Sequence, residues 1–324
     1  MAKQILGIGN ALTDMLCVLD SDDILYSANL PKGSMQLVDK DTQTSLLKSL
    51  DGRDVKKARG GSVPNTIAGI QQLGLQTGFV GRVGNDAVGD FFEGDLVALG
   101  VKPMIIRDPE QPTGTCLSLI SPDGERTMAT CLGATGLFNA AEIKPEMLQG
   151  YGICHIDGYL LQNHQLIERA MELAHAAGVK ISLDLGSYNV VADNLEFLQR
   201  VIPQYADIVF ANEDEAKAYT NMEPEMALDV LASQVDYAVV KVGSKGSFIK
   251  HNGEKVFVKP LPGCNCIDTT GAGDLYASGF LFGLANGKDI EECGRIGALV
   301  SGKVVEVVGT TIDAERWNFI KSQL

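Results

Sequence analysis

The amino-acid sequence predicts an α/β fold: a doubly wound, mostly parallel sheet flanked by helices on both faces. From residue 150 onward, short apolar strands alternate with helical segments, which is typical of βαβ units in a parallel sheet. Polar residues follow directly after several of these strands, where such sheets place their binding sites. Hairpin-like strands at 104–130 interrupt the alternation and indicate a second, smaller sheet. We therefore expect residues 1–324 to form one large domain with a small additional β-sheet.

The predicted elements start with a short apolar strand over residues 4–9 that ends in Gly-Asn. Residues 15–58 alternate between apolar and polar positions and form no compact βα unit, although a helix is predicted over 42–50. Pro64 suits the first turn of a helix that ends near Gly74. Further strands are predicted at 104–106, 115–120, 126–130, 153–156, 180–183, 208–210 and 238–242, and further helices at 165–177, 194–202, 213–219 and 289–306.

The composition argues against several classes of function. The 324 residues carry 27 Lys and Arg against 41 Asp and Glu, a net charge of −14. Neutralising the phosphates of nucleic acid or of an anionic membrane takes basic residues, so neither is an expected partner. The sequence has neither a signal-peptide pattern nor an apolar stretch near the roughly 20 residues of a membrane helix. We therefore expect a cytoplasmic protein with seven reduced cysteines, of which Cys264 and Cys266 are structural and bind no metal.

The motif with the most chemical content is Asp-Thr-Thr-Gly-Ala-Gly-Asp at residues 268–274, which precedes an apolar run. Gly271 and Gly273 permit a tight turn and a close approach of the backbone to a ligand. A helix that begins near Ala272 would direct unpaired N–H groups and the positive end of its dipole at an anion such as phosphate. Asp274 then either stabilises the start of this helix or accepts the proton of an attacking hydroxyl group.

The same seven residues resemble the C-terminal signature of the ribokinase/adenosine kinase family of carbohydrate and nucleoside kinases, the PfkB family. The resemblance implies a ribokinase-like fold that transfers a phosphoryl group from ATP, with Mg²⁺, to a hydroxymethyl group of a small molecule. It makes Asp274 the catalytic base and the amides of residues 271–273 the anion hole. It also places Thr269 and the two glycines of the motif in contact with the nucleotide.

The N-terminal part of the chain carries a second match to the family. Asn10 and Asp14, at the end of the first strand, resemble the opening motif of its nucleoside kinases, and a carboxylate can accept bonds from two vicinal hydroxyl groups. A Gly-Gly pair at 60–61 is followed four residues later by Asn65, as in the family's N-terminal signature. The resemblance therefore assigns substrate binding to Asn10, Asp14, Asn65 and the backbone of Gly61.

The nucleotide side of the site is assigned by the resemblance. Asn212 and Glu215 fit the family's Asn-x-x-Glu motif, which handles Mg²⁺ through water. An Asn N-cap followed by acids in the first turn is the structural alternative for these residues. Lys241, Gly243 and Gly246 match the strand end that passes close to the nucleotide.

Cations enter the expected site in two further ways. Arg126 matches an arginine that meets phosphate in family members, although a solvated strand arginine is the alternative. Asp268 and Thr270 match a site for a monovalent cation, so the resemblance implies a K⁺ requirement in addition to Mg²⁺.

The acceptor is less narrowly defined than the reaction. The opening motif and Gln-Pro-Thr-Gly-Thr-Cys at 111–116 favour the nucleoside kinases, hence the 5′-hydroxyl group of adenosine as acceptor and AMP as product. Ala11 departs from this pattern, because proline is usual at its position. A sugar kinase of the ribokinase or fructokinase type is the alternative, and a catalytically inactive nucleotide sensor is a remote one.

A lid is expected over the substrate. The resemblance assigns it to segments at about 15–45 and 104–130. Apolar side chains of these segments would contact a nucleoside base: Leu16, Leu37, Cys116 and Leu132. A free sugar offers no flat apolar face to such a lid, and the chain is expected to act as a monomer or a homodimer.

Overall fold

The computed structural model describes residues 3–123 and 125–324, which form two sheets and twelve α-helices. The strands are β1 (Ile5–Ile8), β2 (Leu12–Val18), β3 (Met35–Leu37), β4 (Val55–Gly60), β5 (Thr77–Gly84), β6 (Lys102–Asp108), β7 (Gly114–Ile120), β8 (Arg126–Cys131), β9 (Ile153–Asp157), β10 (Lys180–Asp184), β11 (Ile208–Asn212), β12 (Tyr237–Lys241), β13 (Ser247–His251) and β14 (Glu254–Val258). The helices are α1 (Asp23–Ser27), α2 (Lys40–Ser49), α3 (Ser62–Leu73), α4 (Ala87–Leu99), α5 (His164–Ala176), α6 (Tyr188–Asp193), α7 (Leu195–Tyr205), α8 (Glu213–Thr220), α9 (Pro224–Ala232), α10 (Ala272–Ala285), α11 (Ile290–Val304) and α12 (Ala314–Ser322).

The large sheet has nine strands in the order β14-β13-β12-β11-β10-β9-β1-β5-β6. All of its pairings from β12 to β6 are parallel, and only β13 and β14 are antiparallel. The predicted doubly wound, mostly parallel α/β fold is therefore confirmed. The hairpin β13–β14 is missing from the predicted elements, although its Asn252-Gly253 turn has φ values of 47° and 83°. Positive φ at both positions is what Asn-Gly favours in a two-residue hairpin turn.

Helices cover both faces of the large sheet because its strands are apolar on both sides. In β11, Ile208 and Phe210 pack with α3, α4, α10 and α11 on one face. Val209 and Ala211 point to the opposite face and pack with α5 to α9. All four residues are fully buried, as expected for a central strand of a parallel sheet.

The small sheet has the strand order β3-β8-β7-β2-β4 and is buried on one face only. Alternating residues such as Met15 and Leu117 pack on α1 and α2 through Leu25 and Leu46. Because successive side chains of a strand point to opposite faces, the other face of the sheet is free to line a site.

The boundaries of the expected lid segments need correction. The segment predicted at 104–130 begins with β6, which belongs to the large sheet, because Lys102 to Asp108 pair in parallel with β5 along their whole length. Its contribution to the small sheet therefore starts only at Gly114. Residues 55–60 (β4), outside both expected segments, form an edge of the small sheet.

Helix α10 is packed unusually closely against its neighbours, and glycine makes this possible. A Cβ atom at Gly279 would lie 2.6 Å from the carbonyl oxygen of Ile296 in α11. A Cβ atom at Gly69 in α3 would lie 2.6 Å from Oγ of Ser278 in α10. The middle of α10 is thus in close contact with helices on two sides.

We predict that Gly279→Ala destabilises the protein by about 1–3 kcal/mol, because the new methyl group meets backbone atoms of α11 that cannot rotate away. Gly94→Ala in α4 is the matched control. No atom lies within 4 Å of a Cβ built there, so the gain in helix propensity should stabilise the protein by about 0.5–1 kcal/mol. Urea unfolding of both variants measures the effects. Equal stability changes of the two variants would contradict the close packing of α10.

Candidate active site

Polar residues from several strands meet at one edge of the large sheet. Parallel strands end on the same side, so the residues that close them lie next to one another. The residues that end or follow β1, β9, β10, β11 and β12 are Asn10, Asp157, Asp184, Asn212 and Lys241. The sequence motif 268–274 reaches the same edge, because α10 begins there at Ala272, beside Lys241.

The start of α10 is built from backbone. Gly271 adopts the left-handed conformation with φ 73°, and α10 begins at the next residue without a side-chain cap. A Cβ atom at Gly271 would lie 2.5 Å from Cγ2 of Thr310, so the loop packs tightly against this threonine. Thr269 precedes the turn and its carbonyl oxygen accepts the Ala272 N–H. The first amides of α10 thus form a positive helix end that is suited to an anion.

Asp274 lies in the first turn of α10 and is held by α3. Its carboxylate accepts hydrogen bonds from Oγ of Ser62 at 2.7 Å and from Nδ2 of Asn65 at 3.0 Å. Desolvation raises the pKa of Asp274 to about 7, against the effect of these two bonds. The charge of Asp184 raises this pKa further and that of Lys241 lowers it. Asp274 is therefore a carboxylate that can take up a proton near neutral pH.

Both polar atoms of the Asn65 side-chain amide form hydrogen bonds that fix its orientation. Its Nδ2 donates to Asp274, and its Oδ1 accepts a hydrogen bond from Oγ1 of Thr310 at 3.1 Å. The residue is buried, at 5% exposure. Ser62 was not identified as a site residue from sequence, because no local pattern connects it to residue 274.

Asp14 faces the site from the small sheet. Desolvation raises the pKa of Asp14 to about 7, and the nearby charge of Asp274 adds to the effect, while Arg126 and Arg59 oppose it. A Cβ atom at Gly60 would lie 2.1 Å from Oδ1 of Asp14, so the glycine backbone rests directly on this carboxylate. Among the described residues, no protein group donates a hydrogen bond to Asp14, which leaves its two oxygens for a ligand.

Asn10 and Gly61 lie beside Asp14 but are already engaged. The backbone N–H and Nδ2 of Asn10 donate to Oδ2 of Asp157, and its Oδ1 accepts from Oγ1 of Thr135 at 3.2 Å. Burial raises the pKa of Asp157 to about 6. Gly61 has φ 88°, and a Cβ atom there would meet the Asn10 carbonyl oxygen at 2.4 Å. The structure thus assigns Asn10 a scaffolding contact, and its contact with substrate stays a prediction.

Asn212 and Glu215 form a capping box at the start of α8. Nδ2 and the backbone N–H of Asn212 donate to Glu215, and the Glu215 N–H donates back to Oδ1 of Asn212. Burial raises the pKa of Glu215 to about 7, and the charge of Asp184 contributes. Within residues 3–123 and 125–324, no group of three His, Cys, Asp or Glu is arranged to hold a metal. The structure therefore shows the N-cap alternative for Asn212, and a water-mediated contact with Mg²⁺ stays a prediction.

Lys241 lies between the strand ends and α10. Its Nζ is 3.2 Å from Oδ2 of Asp184 and 3.1 Å from the position of a Cβ atom at Gly273. Asp184 was not identified from sequence, although its position directly after an apolar strand is a usable signal. The neighbouring turn uses Gly243 and Gly246, with φ values of 56° and 128°.

Arg126 reaches the motif 268–274 from the small sheet but contacts its first residues rather than Asp274. Its Nη2 lies 2.6 Å from Oδ2 of Asp268, and its Nη1 donates to Oγ1 of Thr270 at 2.7 Å. The Asp268 carboxylate also accepts bonds from Thr270 and from the Gly309 N–H. With a guanidinium and these N–H and O–H donors around it, Asp268 does not fit a K⁺ site in this structure. The K⁺ requirement stays a prediction.

An apolar cleft continues the site across the small sheet. The strand registers place Ala58, Asp14, Cys116, Thr130 and Leu37 in one row, in that order. At the Leu37 end of this row lies a cleft of about 350 Å³. It is lined by Leu37, Val38, Asp39, Lys40, Gln111, Pro112, Thr130, Cys131, Leu132, Gly133 and Leu137. Two of the four expected base contacts, Leu37 and Leu132, line it. Cys116 and Leu16 do not.

Other features of the sequence have no place in this site. Cys264 is half-buried and Cys266 exposed, and neither belongs to a metal cluster of the described residues. None of the helices described is both long and apolar enough to cross a membrane.

Comparisons with known proteins agree with this geometry. Residues 34–317 match the pfkB family carbohydrate kinases. The crystal structure of adenosine kinase from Sinorhizobium meliloti is 32% identical, with a TM-score of 0.89 and full coverage of both chains. A probable sugar kinase from Rhizobium etli is 30% identical, with a TM-score of 0.89, over 100% of this chain and 99% of that one. Adenosine kinase 1 of Arabidopsis thaliana is 28% identical over 332 residues, 95% of each chain.

A family match of this length, on a fold with the expected sheets, decides the class of the protein. The chain belongs to the pfkB family of carbohydrate and nucleoside kinases, and it is a phosphotransferase that uses an alcohol group as acceptor.

Proposed function

We propose that this kinase transfers the γ-phosphoryl group of ATP to the 5′-hydroxyl group of adenosine, giving AMP. The proposal is based on the row of residues that runs across the small sheet from Asp14 through Cys116 to Thr130. Asp14, which accepts no hydrogen bond from the described part of the chain, suits vicinal hydroxyl groups, and the apolar cleft begins two strands away at Thr130. Strands are about 4.8 Å apart, so the two features are separated by roughly 10 Å, a distance that suits a ribose and its base.

In the proposed reaction Asp274 is the base. The acceptor hydroxyl oxygen forms a bond to the γ-phosphorus as the bond from that phosphorus to the ADP oxygen breaks. The hydroxyl proton passes to the Asp274 carboxylate, whose pKa near 7 suits proton transfer at neutral pH. Ser62 and Asn65 hold this carboxylate in position.

The remaining residues bind and orient the two substrates. Asp14 and Asn65 would hold the ribose hydroxyl groups, and the amides of Gly271 and Gly273 would receive the transferring phosphoryl group. The Ala272 amide already donates to Thr269 within the turn. Asn212 and Glu215 would hold Mg²⁺ through water molecules, and the ion would neutralise phosphate charge of the nucleotide. Arg126 would exchange its contact with Asp268 for phosphate as the small sheet closes over the site.

A cytoplasmic location is part of the proposal. All seven cysteines are unpaired in the structure, which favours a reducing compartment.

A sugar kinase is the second candidate. The likeness to a probable sugar kinase from Rhizobium etli favours it. Ribose presents the same hydroxyl groups to Asp14 and Asn65, but it has no flat apolar face for the cleft at Leu37 and Leu132.

We predict that Asp274→Asn lowers kcat at least 10²-fold while the variant still binds ATP, because a positioned base contributes about 10²–10⁴-fold. Steady-state turnover and calorimetric titration with ATP measure the two effects. More than a tenth of the wild-type activity in the variant would exclude Asp274 as the base.

Asp274→Asn should also change how stability depends on pH. The pKa of Asp274 is raised from 3.8 to about 7 in the folded protein, so the wild type loses stability as pH rises from about 4 to about 7. Asn carries no charge, and the variant avoids this loss. Its stability relative to wild type should be greater at pH 8 than at pH 5, by on the order of a few kcal/mol. Urea unfolding at the two pH values measures it, and an equal difference at both would contradict the burial of a charged carboxylate.

The rate should depend on pH in the same range. Asp14 and Asp274 both have pKa values of about 7, and each must be ionised to act. We predict that kcat/KM for the acceptor falls below pH 7 with a slope in log units that approaches two, because protonation of either carboxylate inactivates the free enzyme. As the two groups interact, the measured values belong to the pair. A profile that stays flat down to pH 5 would contradict these assignments.

The acceptor is tested by competition between adenosine, ribose and fructose at saturating MgATP. We predict that adenosine has the highest kcat/KM, by one hundredfold or more, because burial of the base in the cleft adds a few kcal/mol at about 25 cal/mol per Å². A higher specificity constant for ribose or fructose would establish the sugar kinase instead.

Leu37→Ser tests whether the cleft binds the base, with Met35→Ser as its control. Leu37 lines the cleft, whereas Met35 lies on the same face of β3 outside it. Leu37→Ser should raise KM for adenosine about 5–30-fold through lost apolar contact, and Met35→Ser should change it less than twofold. Equal effects of the two substitutions would show that the cleft does not bind the base.

A further inference from the structure

We propose that Lys241 is a phosphoryl-binding residue of this site, whose ammonium group, positioned by Asp184, contacts the transferring phosphoryl group beside Gly273. The proposal rests on the phosphoryl transfer proposed above and adds a cation to it. Lys241 forms no covalent bond and keeps its protons, since the acceptor proton goes to Asp274.

The first observation is the position of the ammonium group. Lys241 ends β12, and its Nζ lies 3.1 Å from where a methyl group at Gly273 would stand. Gly273 belongs to the first turn of α10, which begins without a side-chain cap. An oxygen bound by the amide of Gly273 would therefore lie close to a positive charge.

The second observation is the unused hydrogen-bonding capacity of this lysine. Its side chain is 15% exposed, and within the described part of the chain its single hydrogen bond is to Oδ2 of Asp184, at 3.2 Å. An ammonium group has three donors, so two lack a protein partner. Leaving buried donors unpaired costs stability, which a purely structural ion pair would not require. Two free donors beside an anion hole are suited to phosphate oxygens.

The third observation is the charge balance. Neighbouring acids raise the pKa values of three carboxyl groups at this edge: the charge of Asp274 acts on Asp14, and that of Asp184 acts on Glu215 and Asp274. The site is therefore rich in acidic groups. A nucleotide triphosphate adds further negative charge. Arg126, the other cation near α10, contacts Asp268 and Thr270 rather than the first turn of the helix. Lys241 lies beside Gly273 without the exchange of partners that Arg126 needs.

Lys241 also acts on the base. Burial opposes the charge on Lys241, but Asp184, Glu215 and Asp274 outweigh it and raise its pKa, so it stays protonated. In turn its charge lowers the pKa of Asp274, against desolvation and Asp184. Of the groups that face Asp274, Ser62 and Asn65 donate hydrogen bonds, while the charged ones are Asp14, Asp184 and Lys241. Removal of the ammonium group should therefore raise the pH at which the base ionises.

The test compares Lys241→Met with Lys250→Met. Lys250 is a matched control, because it also pairs with a single aspartate, Asp229 at 2.7 Å, but lies on β13 away from the strand ends. We expect Lys241→Met to lower kcat at least 100-fold. It should weaken binding of a non-hydrolysable ATP analogue about tenfold and change ADP binding less than twofold. Lys250→Met should alter none of these values more than twofold.

Three further readouts separate a phosphoryl contact from a structural ion pair. The acid limb of the pH–rate profile should move up by about one pH unit in Lys241→Met. Lys241→Arg should recover at least tenfold of the lost kcat, because it restores the charge. Asp184→Asn should lower kcat while triphosphate binding weakens less than in Lys241→Met, as expected for a positioning residue.

Equal loss of ADP and triphosphate binding in Lys241→Met, with an unmoved acid limb, would overturn the proposal in favour of a structural ion pair. Behaviour like that of Lys250→Met would overturn it as well. Failure of the proposed function is a separate result. If adenosine is no acceptor, or Asp274→Asn stays active, the binding contrast between the triphosphate and ADP still decides the role of Lys241.

Discussion

The close contact between α3 and α10 is the constraint on which the site depends. Gly69 has no side chain, and a Cβ atom there would lie 2.6 Å from Oγ of Ser278, so side chains of α10 pack directly on the backbone of α3. Their first turns then meet, and Ser62 and Asn65 reach the carboxylate of Asp274 across more than 200 residues of sequence. A bulkier contact would separate Asp274 from Ser62 and Asn65, which orient it. The geometry of the proposed base is thus a consequence of helix packing.

Electrostatics is the second organising feature. Desolvation raises the pKa values of Asp14, Glu215 and Asp274 to about 7, which places them within the range where carboxylates exchange protons at neutral pH. Holding such groups out of water reduces stability, as is common where function sets the residue. Lys241 limits this cost and Arg126 neutralises the neighbouring Asp268. An acidic chain with a net charge of −14 thereby keeps cations where a nucleotide would need them.

In the small sheet, side chains alternate between two faces that have different roles. On one face, Met15 and Leu117 pack on α1 and α2 and give the sheet its own core. On the other face, a single row runs from Asp14 through Cys116 and Thr130 to the apolar cleft. A rigid sheet thus holds a polar and an apolar subsite at a set spacing, which supports a substrate that has both characters.

The sequence by itself determined the fold class, the family and the residues of each local motif, because βα alternation, strand ends and the run 268–274 are properties of neighbouring residues. It also placed Asp274 at a helix start and Asp14 after the first strand. Only the tertiary structure decided which partners these residues have: Ser62 and Asn65 for Asp274, Asp184 for Lys241, and Asp268 for Arg126. It likewise assigned Lys102–Asp108 to the large sheet. The reason is physical: local periodicity determines which face of an element is buried, whereas hydrogen-bond partners, pKa values and strand neighbours depend on packing between segments far apart in the chain.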